Sequence, residues 1–127
     1  MRIALLGYGK MGKTIEQIAL KRGHTVVVKA NNDNDYDLSL ADIAIDFSIP
    51  NAAFKNISYC LKNNIPVVSG TTGWLEYYDN AVALCKAKGG AFIYASNFSL
   101  GVNIFFELNT TLAKMMKTLE QYKVSIE

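Results

Sequence analysis

Arg2-Ile3-Ala4-Leu5-Leu6-Gly7-Tyr8-Gly9-Lys10-Met11-Gly12 is the stretch from which the rest of the chain can be read. A short apolar run passes at once into glycines, and Met11, Ile15, Ile18, Ala19 and Arg22 then recur at helical spacing as far as Gly23. Strand, tight turn, helix and stop follow in that order. Thr25-Val26-Val27-Val28 supplies a β-branched run suited to a strand buried on both faces, so residues 1–30 predict one βαβ unit.

Working outward, the same alternation continues. Asn31-Asn32-Asp33-Asn34-Asp35 is turn-rich, and only a turn or short helix fits before the apolar run Ile43-Ala44-Ile45-Asp46-Phe47. Pro50 suits a first helical position behind Ser48, with Ala53, Phe54, Ile57, Cys60 and Leu61 as the apolar stripe up to Asn63-Asn64. Pro66-Val67-Val68-Ser69 predicts a strand, about Trp74 to Lys88 a helix stopped at Gly89-Gly90, and Ala91-Phe92-Ile93-Tyr94 a fifth strand. Phe105, Leu108, Leu112, Met115 and Leu119 mark a long last helix, and Tyr122-Lys123-Val124-Ser125-Ile126-Glu127 begins a further alternating strand. Such alternation predicts an α/β fold: a doubly wound, mostly parallel sheet with helices on both faces.

Composition bounds the function. A chain of 127 residues, 50% apolar and 19% charged, is ordinary for one globular domain. Its net charge of +2, with acids and bases interspersed, excludes the footprint of a nucleic-acid binder. No run approaches the ~20 apolar residues of a membrane span, and the N-terminus lacks a signal segment, so a cytoplasmic protein without membrane partners is expected. Cys60 and Cys85 lie among apolar residues without metal-ligand spacing and are expected to be buried thiols; His24 is expected at a surface or edge, and no metal site is predicted.

Ligands of open α/β sheets gather beyond the carboxyl ends of the strands, and there this chain carries small polar residues: Gly7 to Gly12, Asn31-Asn32, Ser48, Gly70-Thr71-Thr72-Gly73 and Ser96-Asn97-Phe98-Ser99. The first is a GxGxxG between a strand and a helix. Gly7 permits the turn, Gly9 lets backbone approach a pyrophosphate, and Gly12 lets the helix lie close to the strand, while the helix N-terminus offers amides to phosphate. A glycine-rich turn without a ligand is the plainer alternative. The carboxylate that usually grips an adenine ribose is replaced by Lys29-Ala30-Asn31; Asn31 can bond a ribose hydroxyl without repelling a 2′-phosphate, and Lys29 and Lys10 lie near, so either NADPH or NADH is admitted. Asp33 and Asp35 are commonly turn formers. Gly70 to Gly73 reads either as a turn with a threonine N-cap or, with the loop around Asn97, as one wall of a nicotinamide site.

Together, Gly7-Tyr8-Gly9-Lys10-Met11-Gly12, Asp46-Phe47-Ser48, Gly70-Thr71-Thr72-Gly73 and Ala95-Ser96-Asn97-Phe98-Ser99-Leu100-Gly101-Val102-Asn103 resemble the 4-hydroxy-tetrahydrodipicolinate reductase family of lysine biosynthesis, in order and spacing along the whole chain. The resemblance implies a Rossmann-like cofactor domain over residues 1–121, with 122–127 opening a second α+β domain. It implies that Gly7, Tyr8, Gly9, Lys10, Met11 and Gly12 bind the pyrophosphate. Asn31 takes the ribose position, Ser48 joins the cofactor site, and Gly70, Thr71, Thr72, Ala95, Ser96, Asn97 and Phe98 line the nicotinamide. Thr72 would also touch a carboxylate of the substrate, a cyclic dicarboxylic imine. The family's E-x-H-H-x-x-K-x-D-x-P-S-G-T-A segment, which supplies the substrate-binding histidines and lysine and belongs to the tetramerising domain, has no counterpart in residues 1–127. No catalytic residue is therefore expected within this chain, whose own turnover should be negligible. Two rivals remain: another dehydrogenase on the same fold, favoured if a following segment lacks paired histidines and lysine, and a stand-alone non-catalytic dinucleotide-binding module.

Overall fold

The computed structural model describes residues 1–31, 36–119 and 121–122. The expected turn formers Asp33 and Asp35, and the strand expected from Tyr122 to Glu127, lie outside the described residues apart from Tyr122 itself. The elements run β1 (Arg2–Leu6), α1 (Lys10–Lys21), β2 (Thr25–Ala30), β3 (Ile43–Asp46), α2 (Pro50–Lys62), β4 (Val67–Ser69), a 3₁₀ turn (Leu75–Tyr77), α3 (Tyr78–Lys88), β5 (Phe92–Tyr94) and α4 (Leu100–Met116). Two compact units result, Met1–Ser96 and Asn97–Glu127.

In the first unit every strand pairing is parallel and the order is β2-β1-β3-β4-β5. The chain moves from β1 to one side to make β2, then returns to β1's other side for β3 and continues outward. That reversal puts α1 on one face of the sheet and α2 and α3 on the other, because each right-handed crossover from a strand to its parallel neighbour covers one face. Side chains of β1 alternate accordingly. Ile3 and Leu5 pack with Ala19 and Ile15 of α1, whereas Ala4 and Leu6 join Ile57 and Leu61 of α2, Ala81 of α3 and Trp74. Arg2 pairs with Asp42 at 2.7 Å, clasping β1 to the entry of β3 at the opposite end of the sheet from the glycine turn.

Three expectations need correction. The valine run of β2 is not buried on both faces: among the described residues β2 is an edge strand, and Val26, Val27 and Val28 are half-buried. An apolar run reports burial, but sheet order decides whether a strand has neighbours on both sides. The helix expected from Trp74 begins at Tyr78 instead, since Trp74 is drawn into the core at 1% exposure and Leu75–Tyr77 bridges as a 3₁₀ turn. Cys60 is buried as expected, but Cys85 is only partly so.

The second unit holds α4, capped by Ser99 Oγ accepting from the Val102 amide at 3.4 Å. Asn97 Oδ1 accepts from the Ser99 amide at 2.8 Å, and Asn103 Nδ2 donates to the Asn97 and Ser99 carbonyls at 3.0 and 2.8 Å, locking the turn before the helix. Among the described residues no helix is long and apolar enough to cross a membrane.

Candidate functional site

The reversal point lies between β1 and β3, and the turn that leaves β1 there is Gly7. Its φ is +91°, and a Cβ built on it would stand 2.1 Å from the Phe47 carbonyl oxygen at the end of β3. Only glycine satisfies both demands. A Cβ on Gly12 would lie 2.5 Å from the Gly7 carbonyl oxygen, so the third glycine sets how closely α1 approaches the turn. Gly9 differs: a Cβ there meets nothing within 4 Å. A methyl at Gly9 would project into open space at the head of α1, whose N-cap supplies no side-chain bond and whose first turn holds no acidic residue. Such an end suits a diphosphate, through unshared amides and the positive pole of the helix.

Beyond the strands, the loops are ranked along one rim by their own backbone bonds. The amides of Gly7 and Tyr8 donate to the Ala30 carbonyl at 2.9 and 3.1 Å, Phe47 to Leu6 at 2.8 Å, Gly70 to Asp46 at 2.9 Å and Ala95 to Ser69 at 3.2 Å. The order in space is therefore Asn31, Gly7, Ser48, Gly70, Ala95. Asn31 is exposed at one end, while Thr72, Gly73 and Ser96 are exposed toward the other. Asn97 and Phe98 belong to the second unit.

Thr71 is placed differently from its neighbours. It is 4% exposed, its hydroxyl donates to Asp46 Oδ2 at 2.8 Å and accepts from the Ser48 amide at 2.8 Å, and its carbonyl accepts from Trp74 Nε1 at 2.8 Å. No threonine N-cap forms, so the turn-and-cap alternative for this loop does not hold. Thr71 offers a ligand only backbone, whereas Thr72 offers its exposed side chain.

Two features escaped the sequence. Asp46 is fully buried, and it accepts from Ser48 Oγ at 2.7 Å, Asn56 Nδ2 at 3.0 Å, Ser69 Oγ at 2.8 Å and Thr71 Oγ1 at 2.8 Å. A carboxylate closing an otherwise apolar strand was the available signal. Lys29, counted as a cation near the ribose position, is committed elsewhere: its Nζ lies 2.5 Å from Glu16 Oε1 and 5.2 Å from the Tyr8 ring centroid, and Tyr8 donates to the same carboxylate. A register shift between Ile3 and Ala4 in the β1–β2 ladder precedes Lys29, which lies on the α1 face. Lys29 and Tyr8 hold the Glu16 carboxyl below its ordinary range, and Glu16 in turn raises Lys29. Burial, with the Asp46 charge second, pushes the Cys60 thiol up to about 12, and burial raises the Tyr36 phenol as well.

A groove of about 890 Å³ runs over α2, lined by Tyr36, Phe54, Tyr59, Tyr77 and others, and includes no residue of the glycine turn. Among the described residues no acid, histidine or cysteine cluster suits a metal.

A glycine turn at the reversal point of a parallel sheet, heading an uncapped helix, defines a dinucleotide-binding, Rossmann-like domain. The profile described as "Dihydrodipicolinate reductase, N-terminus" matches residues 1–98, and the chain belongs to that family. It is 59% identical to the 4-hydroxy-tetrahydrodipicolinate reductase of Christiangramia forsetii, over 100% of this chain and 54% of that protein. Enzymes of the same name from Thermosipho africanus and Neisseria gonorrhoeae are 35% and 30% identical, over 91% and 87% of this chain and 54% and 42% of their own lengths. The chain thus spans about half the length of these relatives. A crystal structure from Archaeoglobus fulgidus described as "Putative Homoserine Dehydrogenase" superposes with a TM-score of 0.60 at 17% identity, over 74% of this chain and 42% of that one, a likeness of fold alone.

Proposed function

We propose that this chain is the cofactor-binding half of a cytoplasmic NAD(P)H-dependent 4-hydroxy-tetrahydrodipicolinate reductase. The observation that carries the proposal is the row of loops along the rim, with the open space at Gly9 between an exposed ribose-side Asn31 and an exposed Thr72. Its order matches a dinucleotide laid along the carboxyl edge: adenine ribose at Asn31, diphosphate on the amides of Gly9 to Gly12, nicotinamide against Gly70, Thr71, Thr72, Ala95 and Ser96. Asn97 and Phe98 are assigned to the nicotinamide by the family resemblance alone. The name shared by the relatives supports the substrate.

NADPH or NADH, when bound, supplies hydride; the chain's residues bind and orient it. Ser48, held by Asp46, borders the diphosphate side, and Thr72 presents a hydroxyl toward a substrate carboxylate. Reducing an imine also calls for a proton and for cations facing two carboxylates. His24, the one histidine of the sequence, precedes β2 at the amino end of the sheet, so that chemistry is assigned to a second domain entered at 122–127. A homotetramer is proposed for the whole protein, not for this chain.

Titrating the chain with NADPH and NADH by calorimetry and by the emission of Trp74, its single tryptophan, tests the proposal. Saturable binding in the micromolar-to-millimolar range is expected. Absence of binding to both would remove the dinucleotide site from this chain.

A further inference from the structure

Asp46 sits at 0% exposure at the end of β3, and all the donors described above as meeting it are neutral. Burying a carboxylate among neutral groups is costly unless its oxygens are hydrogen-bonded, and an apolar side chain in its place would strand the four donors that meet it. What a carboxylate adds is geometry, because two oxygens with several lone pairs can gather donors from separate segments. Here those segments are the loop after β3, the end of β4, the loop after β4 and α2.

We propose that Asp46 is the positioning residue of the dinucleotide site, fixing the Gly70–Gly73 loop against Ser48 and so against the glycine turn. The proposal rests on the dinucleotide reading of the rim. The Thr71 hydroxyl gives its only proton to Asp46 and takes the Ser48 amide on a lone pair, which leaves it one orientation. Ser48 Oγ donates to Asp46 and accepts from Asn56 Nδ2 at 3.2 Å. Asn56 Oδ1 accepts from the Tyr36 hydroxyl at 2.8 Å, which carries the same network to the segment that follows β2. One buried carboxylate therefore reaches the nicotinamide end of the rim directly and the segment after its ribose end through two side chains. Thr71 acts through its backbone, so an error in its placement passes straight to the ligand.

The test compares Thr71→Val, Thr71→Ser and Ser69→Ala in the 127-residue chain, titrated with NADPH and NADH well below each melting midpoint. Ser69→Ala removes a bond to the same Asp46 oxygen from within a strand and leaves both loops tied. Thr71→Val should weaken dinucleotide binding by about tenfold or more, and Thr71→Ser should restore it to within about threefold. Ser69→Ala should lower the midpoint while keeping the dissociation constant within about threefold of the parent. Should Thr71→Val not melt cooperatively, the shape-preserving Asp46→Asn is judged by the same affinity criterion. Parent-like affinity in Thr71→Val, or an equal loss in Ser69→Ala, overturns the positioning role while the dinucleotide site stands. A parent that binds neither cofactor overturns both.

Discussion

Alanine at Gly7 and alanine at Gly9 should fail in opposite ways although the positions are two residues apart. At Gly7 the new methyl would sit 2.1 Å from the Phe47 carbonyl oxygen on a backbone at φ +91°. A left-handed conformation costs a non-glycine residue about 1–2 kcal/mol, and forced overpacking adds typically ~1–3 kcal/mol. A loss of roughly 2–5 kcal/mol is a large part of the ~5–15 kcal/mol that holds a domain of this kind folded. For a chain of this size that corresponds to a fall in melting midpoint on the order of 10–20 °C. At Gly9 φ is −85° and the methyl meets no protein atom within 4 Å, so only the N-cap preference of glycine over alanine is lost, about 1 kcal/mol at most. The same methyl stands in the space proposed for the diphosphate. Circular-dichroism melts and NADPH titration of the parent and both variants separate the effects: Gly7→Ala loses the midpoint, Gly9→Ala loses the affinity. A Gly9→Ala protein that binds NADPH like the parent would refute the placement of the diphosphate, and a Gly7→Ala protein with the parent's midpoint would refute the steric argument.

Asn31→Asp should move preference toward NADH by about tenfold or more, since a carboxylate accepts from ribose hydroxyls and repels a 2′-phosphate; parallel titrations with NADH and NADPH measure the ratio. Glu16→Gln should have two effects. In the parent the carboxyl lies lower in the folded chain than in the unfolded one, so its contribution is full above the unfolded value near 4.3 and is lost as pH falls through the folded value. Denaturant titrations from pH ~6 down to ~3 should therefore show a shallower acid loss in the variant. Releasing Lys29 from Glu16 should also strengthen NADPH relative to NADH; unchanged ratios would show that the lysine does not reach the 2′-phosphate. Trp74→Phe keeps an aromatic ring but strands the Thr71 carbonyl, for an expected loss of about 1–3 kcal/mol, against ~3–5 kcal/mol for Trp74→Ala, both read by chemical denaturation. Cys60, buried and with its thiol raised to about 12, should resist alkylation in the native chain at neutral pH and react once denaturant unfolds it.

The parts of this fold legible in the sequence are those encoded by residues with a single physical use. Gly7 and Gly12 could be read because a missing Cβ is itself the information, and the alternation of strands and helices because burial imposes periodicity. What β2 became was not legible: Val26, Val27 and Val28 look the same whether a strand has one neighbour or two. Trp74 misled for a related reason, since helical spacing ran up to it while the core claimed its ring. Along the rim, the loop residues were legible as a set, but their allegiances were not. Lys29 resembled a free cation, whereas Glu16 holds it, and nothing in the spacing told that the Thr71 hydroxyl, unlike its backbone, is spent on Asp46 and Ser48. Pairings such as Asp46 with Thr71 join positions brought together only by the sheet, where spacing along the chain carries no signal.

The seat of β1 between β2 and β3 also bears on how the domain assembles. The first βαβ unit closes over a short span of chain, but β1 cannot gain its second neighbour until the segment around Ile43 to Asp46 returns to it, as the Arg2–Asp42 pair across 40 positions makes plain. The reversal point therefore exists only once that later segment has paired with β1. Hydrogen exchange at β1 should therefore report the global unfolding free energy more closely than it does along the outer side of β2.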